Sequence, residues 1–407
     1  MNVVFVEPNF PRNQREFVRG LAEVGATVIG LGETPTDYLD DQLKGWMHHY
    51  EQVPSVTDLE AMTHAVRRVQ GLIWVDRLEA TIEAHTMAAA QVREACGIPG
   101  TSVRTAWLCR DKPSMKQALR DAGVPTAASI AADGAAQVRE FVDQVGYPVI
   151  LKPRSGAGAA DTTRVDGAAE LDRALGTFGG QGVQSIAVEE FVEGHEGFYD
   201  TLSVDGQPAL DFVCHYYPNV LDAMRTRWIS PQFVSTNRID TASEYAELRE
   251  MGRRVNAALG IGTSATHMEW FFGPKGLKFS EIGCRPPGVG AWDLYSAGND
   301  IDLYREWAMA VVHGHVGSAA SRRFASGMLA LRPDTDGRIT GYSGVEEMNR
   351  QYGEWVIDAH LPDPGTPTQP VEAGYMANAY VRMRHPDYDT LRSMMDDVGR
   401  TLRVHAA

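Results

Sequence analysis

Cysteine is scarce in this chain of 407 residues: Cys96, Cys109, Cys214 and Cys284 lie far apart and form no CxxC pair. That argues against a disulfide framework or a structural zinc site and points to a reducing cytoplasm. No stretch approaches the ~18 uninterrupted apolar residues of a membrane span. The opening Met-Asn-Val-Val-Phe-Val-Glu-Pro has no basic region and meets Glu7 and Pro8 early, so it reads as a buried strand rather than a signal peptide. Positive charge is in deficit, with 38 Lys and Arg against 53 Asp and Glu and a net charge of -15. This disfavours a nucleic-acid surface and an acidic carrier protein as partners. A GxGxxG fingerprint is missing, because Gly30-Leu31-Gly32-Glu33-Thr34-Pro35 puts proline where the third glycine belongs. There is no GxxxxGK[ST] loop, no internal repeat and no low-complexity tract. What remains is a soluble enzyme or binding protein with small ligands.

At roughly 100–200 residues per domain, the length predicts two to four packed units. The first hundred residues alternate as an α/β layer does. Strands are expected at Val3–Val6, Thr27–Leu31 and Leu72–Val75. A helix carries Phe17, Val18, Leu21 and Val24 on one face and stops at Gly25, and another runs to Ala95. This pattern predicts a doubly wound parallel sheet. From about Thr105, a helix bearing Lys112, Met115, Lys116 and Leu119 ends at Ala122-Gly123-Val124-Pro125, with glycine as cap and proline as stop. A helix over about 135–145, a strand 147–152, a helix 167–176 and a strand 186–189 follow. Residues 198–272 read as antiparallel strands interrupted by a helix over 242–259. The last section has strands near 328–331, 355–357 and 374–383, a loop at 362–367, and an amphipathic helix presenting Leu391, Met395, Val398 and Leu402. His313-Gly314-His315 reads as a helix C-terminus.

The most informative stretch is HMEWFFGPKGLKFSEIGCRPPG, 267–288. Two strand-like runs flank Gly273-Pro274-Lys275-Gly276, and a three-residue loop with Gly276 left-handed is a common closure. With loop 274–276 the pairs are 273:277, 271:279 and 269:281, so Glu269 and Glu281 face each other on one side of the ribbon. Two carboxylates that close are costly unless a cation lies between them, and carboxylates alone suit Mg²⁺. A loop of two or four residues turns Glu281 to the other face and leaves a solvated hairpin. His267 shares the face of Glu269 and could take a proton from an amine or serve as a hydrogen-bonded structural histidine.

Lys152 ends a buried strand just before Ser155-Gly156-Ala157-Gly158-Ala159-Ala160, a loop whose small residues let backbone N–H groups approach phosphate oxygens. Lys112 opens its helix, where it can project from the start. Either lysine alone reads as a surface charge. In Val188-Glu189-Glu190-Phe191-Val192-Glu193-Gly194-His195-Glu196 an apolar strand enters a polar turn. Its backbone could meet a flat base and Glu196 could meet vicinal hydroxyls, or it is an acidic connector. The segment 214–237, with His215, Tyr216, Tyr217, Arg225, Arg227 and Trp228, is either a substrate-facing loop or an ordered surface excursion.

Together these pieces resemble the ATP-grasp superfamily over nearly the whole chain. The matching motifs are DKPSMKQALRDAGVPT (111–126), GYPVILKPRSGAGAADT (146–162), VEEFVEGHE (188–196) and the 267–288 stretch. The resemblance implies an ATP-grasp fold of the α/β and α+β multidomain class, with four parts: an N-terminal doubly wound α/β domain at 1–104, a small ATP lobe at 105–187, a large ATP lobe with the metal site at 188–318, and a C-terminal α+β lobe at 319–407. It implies ATP bound between two lobes, with Lys112 and Lys152 on the phosphates and Ser155, Gly156 and Gly158 in the loop closing over them. Glu189 and the backbone of Phe191 and Val192 match the adenine hinge, and Glu196 the ribose carboxylate. Glu269 and Glu281 match ligands for one or two Mg²⁺ ions, with Mn²⁺ as a substitute. Arg285 matches the arginine that stabilises an acyl phosphate or orients a substrate carboxylate. Many members carry Glu-x-Asn at the second metal position, whereas Glu281-Ile282-Gly283 has glycine there, which puts a second ion in question.

The implied chemistry is ligation. A carboxylate attacks the γ-phosphate, and an amine then displaces phosphate from the acyl phosphate, with Arg285, Lys152 and His267 as the catalytic candidates. The partners are a small carboxylate and a small amine, with a homodimer compatible with the family. Two alternatives stand beside this. One is a biotin-carboxylase-like or purine-type carboxylating enzyme, although no Ala-Met-Lys-Met site is present. The other is a nucleotide-binding regulatory protein without turnover.

Overall fold

A computed structural model describes residues 1–153, 162–180 and 185–407. The expected phosphate-loop residues Ser155, Gly156 and Gly158 lie outside the described residues. The N-terminal layer is a four-stranded parallel sheet in the order His49–Gln52, Thr27–Gly32, Asn2–Val6, Arg77–Glu79. Apolar runs buried on both faces form its centre, as parallel strands require. The strand expected at Leu72–Val75 is displaced to Arg77–Glu79. Leu72 and Trp74 are exposed, and Leu78 is the buried residue that joins the sheet. The intervening residues carry the chain back from helix Leu59–Gln70, tied down by the Asn2 amide donating to Asp76 at 2.7 Å. A short apolar run therefore marked the approach to the strand rather than the strand itself.

Helix Gln14–Glu23 buries Phe17, Val18 and Leu21 and ends, as expected, at Gly25 with φ +85°. These side chains share one core with Trp292, Tyr304 and Trp307 from the other end of the sequence. A Cβ at Gly20 would lie 2.7 Å from the Tyr304 carbonyl oxygen, so glycine lets helix Leu303–His313 come down onto this one.

A small antiparallel sheet follows in the order Ser129–Ala132, Ile186–Glu190, Val149–Pro153, Thr163–Val165. The helices Lys112–Asp121 and Ala135–Val145 form as expected, and the next runs Ala168–Gly180 rather than stopping at 176. The large sheet has eight antiparallel strands in the order Gly276–Gly283, Ser264–Gly273, His195–Val204, Gln207–Tyr217, Gln232–Ser235, Ala325–Ala330, Tyr380–His385, Val356–His360. It continues without a break from the large lobe into the C-terminal section. The strand expected from 374 begins only at Tyr380, after a 3₁₀ turn at Val371–Ala373. Helix Tyr388–Thr401 buries Leu391, Met395 and Val398, and Leu402 just beyond its end is buried with them. His313 ends its helix, with Gly314 as a left-handed cap. The 214–237 segment is largely sheet: His215, Tyr216 and Tyr217 lie in Gln207–Tyr217, and only the stretch between it and Gln232–Ser235 is an excursion, with Trp228 exposed.

Candidate active site

The hairpin closes differently from the expected route and arrives at the same place. Gly273 pairs with Gly276, so the loop is the two residues Pro274 and Lys275. Phe271 then pairs with Lys278 and Trp270 with Phe279, a register that would turn Glu281 away. An irregularity between Glu269 and Trp270 leaves Ser280 as an extra residue, and Glu269 faces Glu281 after all. A β-bulge does this by inserting one residue into one strand and re-aiming the side chains that follow. Gly276 takes φ +75°, as expected.

Three lysines from the small lobe converge on this ribbon. Lys112 lies 3.4 Å and Lys152 3.9 Å from Glu281 Oε2. Lys152 also lies 3.0 Å, and Lys116 2.6 Å, from Glu189 Oε2. Burial works against the Glu189 carboxylate, but Lys116 and Lys152 outweigh it and hold its pKa at about 2. Burial lowers the Lys116 ammonium to about 8 despite Glu189. Glu189, expected only at the adenine hinge, thus turns its side chain to the lysines while its backbone pairs with Ser129 and Ile150. Lys116 was not singled out from the sequence as a site residue. The signal was there, because residues 112, 115, 116 and 119 form one helical stripe and a lysine in a buried stripe needs a partner.

Two carboxylates of the large sheet, Glu269 and Glu196, have the opposite balance. Burial, then the neighbouring charges of Glu281 and Glu196, push Glu269 up to about 8. Glu196 rises to about 7, chiefly through burial, although its Oε2 accepts from the Val220 amide at 2.7 Å. Burial would raise Glu281 as well, but Lys112 and Lys152 bring it below the usual range. Phe191 and Val192 leave the strand Ile186–Glu190 half-buried, with Arg164 over the Phe191 ring at 4.2 Å.

His267 is anchored by Nδ1, 2.7 Å from Asp200 Oδ1, and its Nε2 is 3.9 Å from Glu269. Asp200 is almost completely buried and also accepts from the Tyr295 hydroxyl. Arg285 donates Nε to Glu83 at 2.9 Å and Nη1 to the Pro286 carbonyl at 2.8 Å. Glu83 comes from the first turn of helix Glu83–Cys96 in the N-terminal layer, and Arg110 donates to its carbonyl at 3.1 Å. One cleft is lined by Glu83, Arg110, Lys112, His267, Glu281 and Arg285. Asp200, Tyr295 and Glu83 carried no sequence signal, since their partners are distant in the chain.

The donor set fits a hard divalent cation. Glu269 and Glu281 are adjacent carboxylates whose mutual repulsion a cation would relieve. Among the described residues no three His, Cys, Asp or Glu side chains converge. An ion held by two protein carboxylates fills its shell from phosphate oxygens and water, as Mg²⁺ commonly does. Gly283 supplies no side-chain donor, and a Cβ there would lie 3.1 Å from Glu83 Oε2 and 3.4 Å from Arg285 Nε.

Comparison with known proteins agrees with this architecture. Residues 117–299 match the ATP-grasp domain, so the chain carries an ATP-grasp domain, as its motifs implied. An L-arginine-specific L-amino acid ligase of Bacillus subtilis is 25% identical over 325 residues, covering 76% of this chain and 75% of that protein. A formate-dependent phosphoribosylglycinamide formyltransferase of Parabacteroides distasonis is 25% identical over 305 residues, covering 73% and 72%. The crystal structure of an L-amino acid ligase from Bacillus licheniformis superposes with a TM-score of 0.77 over 100% of this chain and 98% of that one, at 16% identity. The fold is the ATP-grasp fold. No helix among the described residues is long and apolar enough to cross a membrane.

Proposed function

We propose that this site converts a small carboxylate to an acyl phosphate at the expense of ATP and passes the acyl group to the amine of a second small molecule, with ADP and phosphate as products. The observation that carries the reading is Glu269 opposed to Glu281 with Lys112 and Lys152 within ion-pair reach of Glu281. Triphosphate chemistry needs charge neutralisation and alignment more than covalent help. A divalent cation, Mg²⁺ or Mn²⁺, held by Glu269 and Glu281 supplies most of that neutralisation when bound.

The chain's own groups do the rest. Lys112 and Lys152 turn from Glu281 to the phosphates. Lys116 keeps Glu189 charged and fixed, so Lys152 remains aimed. The strand exit at Phe191 and Val192 takes the base and Glu196 the ribose. Arg285, oriented by Glu83, faces the transferring acyl group. His267 has Nδ1 committed to Asp200, leaving Nε2 to take the proton the attacking amine must lose. The relatives favour an amino acid as one substrate.

The test is ADP and phosphate release over a matrix of amino acids supplied as acids and amines, with mass detection of the amide. ADP formed in step with a new amide supports the reading. AMP with pyrophosphate, or tight ATP binding without turnover on every pair, overturns it. Amine-independent ADP formation with bicarbonate or formate moves the protein to the carboxylating or formylating class.

A further inference from the structure

The ligation chemistry uses no thiol, yet two of the four cysteines meet beside its cleft. Cys109 follows helix Val103–Leu108, just before the helix that Lys112 opens, and Cys284 directly precedes Arg285. Both are buried in one core cluster and line one cavity, and interaction with the other thiol is the first cause of the shift of each. They share a polar cavity with Glu79, Glu83, Arg93 and Arg110, and Cys109 also lines the cleft that holds Lys112, His267 and Glu281. Cys284 Sγ further donates to Ser264 Oγ at 3.2 Å and lies 3.9 Å from Thr101 Oγ1.

We propose that Cys109 and Cys284 form an oxidisable dithiol, a modification site at which a peroxide closes a disulfide between the segment leading to Lys112 and the segment carrying Arg285. Thiols on separate segments that line one cavity can meet through side-chain adjustment, and a nearby arginine charge favours the reactive thiolate. Here the Cys109 thiol, then Ser264, Thr101 and the Arg93 charge, outweigh burial and lower the Cys284 thiol to about 7. The other two cysteines are placed differently. Cys214 is buried against the Tyr295 hydroxyl at 3.4 Å, and Cys96 ends a helix; burial raises both thiols.

The step balances in two parts. The Cys284 thiolate attacks one peroxide oxygen, the S–O bond forms as the O–O bond breaks, and hydroxide leaves to take up a proton. The Cys109 thiol then attacks the sulfenic sulfur, the S–S bond forms, and the S–O bond breaks with loss of water. Two thiols are oxidised and one peroxide is reduced to two waters. A dithiol reductant reverses the bond.

The test uses the full chain treated with hydrogen peroxide, then denatured for thiol titration and peptide mapping. Titratable thiols are expected to fall from the four of the sequence to two. A single cross-linked peptide should join Cys109 to Cys284 and vanish with dithiothreitol. Cys109→Ser and Cys284→Ala should each abolish that peptide. The map of the unmodified protein stands by itself if either variant folds poorly. Four thiols persisting after treatment, loss confined to Cys96 or Cys214, or irreversible oxidation of Cys284 with Cys109 intact would each overturn the proposal.

Discussion

Buried Glu189 and half-buried Glu269 have opposite electrostatic surroundings. Glu189, on the small sheet, has two ammonium groups within 3.0 Å of one oxygen and stays charged far below neutral pH. Glu269, on the large sheet, faces other carboxylates and resists charging. The small lobe has neutralised Glu189 in advance, whereas Glu269 and Glu196 of the large lobe are short of positive charge. The first arrangement holds side chains in place. The second suits a cation, because removing a like-charge penalty is itself a source of binding energy. Stability and activity should therefore respond in opposite senses at the two positions.

The largest effect is expected at the ribbon. Glu269→Gln removes the group proposed to hold the metal, so ADP release should fall on the order of 10³-fold, the scale seen when one electrostatic stabiliser is lost. Its thermal midpoint without nucleotide should hold or rise, since a carboxylate under repulsion has become neutral. A variant that keeps activity, or that unfolds at much lower temperature, breaks the contrast.

Next comes the neutralised acid. Lys116→Met leaves Glu189 buried with one partner fewer. Breaking a buried pair from one side costs about 3–5 kcal/mol, because the remaining charge goes uncompensated. Denaturant unfolding should show that loss, and the double variant Lys116→Met with Glu189→Gln should recover a large part of it. Equal stability of the single and double variants would mean that Lys152 alone suffices for Glu189.

A third neighbourhood, built on histidines and tyrosines, lies on the opposite face of the same sheet. His215 hydrogen-bonds His195 at 2.9 Å and Tyr245 at 2.9 Å. Burial, then His195 and Arg392, depress its pKa to about 3. The unfolded chain binds a proton here below about pH 6.5 while the folded chain does not. Its contribution to stability is therefore complete above that pH and is lost as pH falls toward 3, by roughly 1.4 kcal/mol per unit. Unfolding midpoints between pH 7 and 4 should drop less steeply in His215→Gln. Parallel curves for variant and parent would remove His215 from the acid response.

Sequence reading reached the fold because periodicity and turn residues are local: the parallel strands at Val3 and Thr27, the helix of Lys112, and the hairpin with Gly276 all announce themselves. It found Glu269 and Glu281 as a pair through a three-residue loop, while the molecule uses a two-residue loop and a bulge at Ser280. A serine in a strand gives no sign of being extra. Lys116 was legible as a lysine in a buried helical stripe, but Asp200, Tyr295 and Glu83 acquire meaning only from partners that the fold brings from other segments, so no spacing rule could name them. The two strands placed too early, at Leu72 and Gly374, share one cause: apolar or glycine-containing approach segments look like the strands they lead into.

The smallest expected effect concerns the residue that departs from the family pattern. Asparagine at 283 would restore the missing side-chain donor, but its Cβ would arrive 3.1 Å from Glu83 Oε2 and 3.4 Å from Arg285 Nε. Both are ends of flexible side chains, so the fold should tolerate Gly283→Asn with a stability loss of about 1 kcal/mol. Arg285, displaced from the Glu83 that orients it, should lower kcat by about tenfold, the cost of a modest misplacement of a positioned charge. Shortening Glu83 to Ala in the Gly283→Asn background should relieve the crowding without restoring kcat, because the orienting carboxylate is gone. A kcat in Gly283→Asn equal to or above that of the parent would show that the pair does not need the space glycine leaves, and that the Glu269 and Glu281 pair gains from the extra side-chain oxygen.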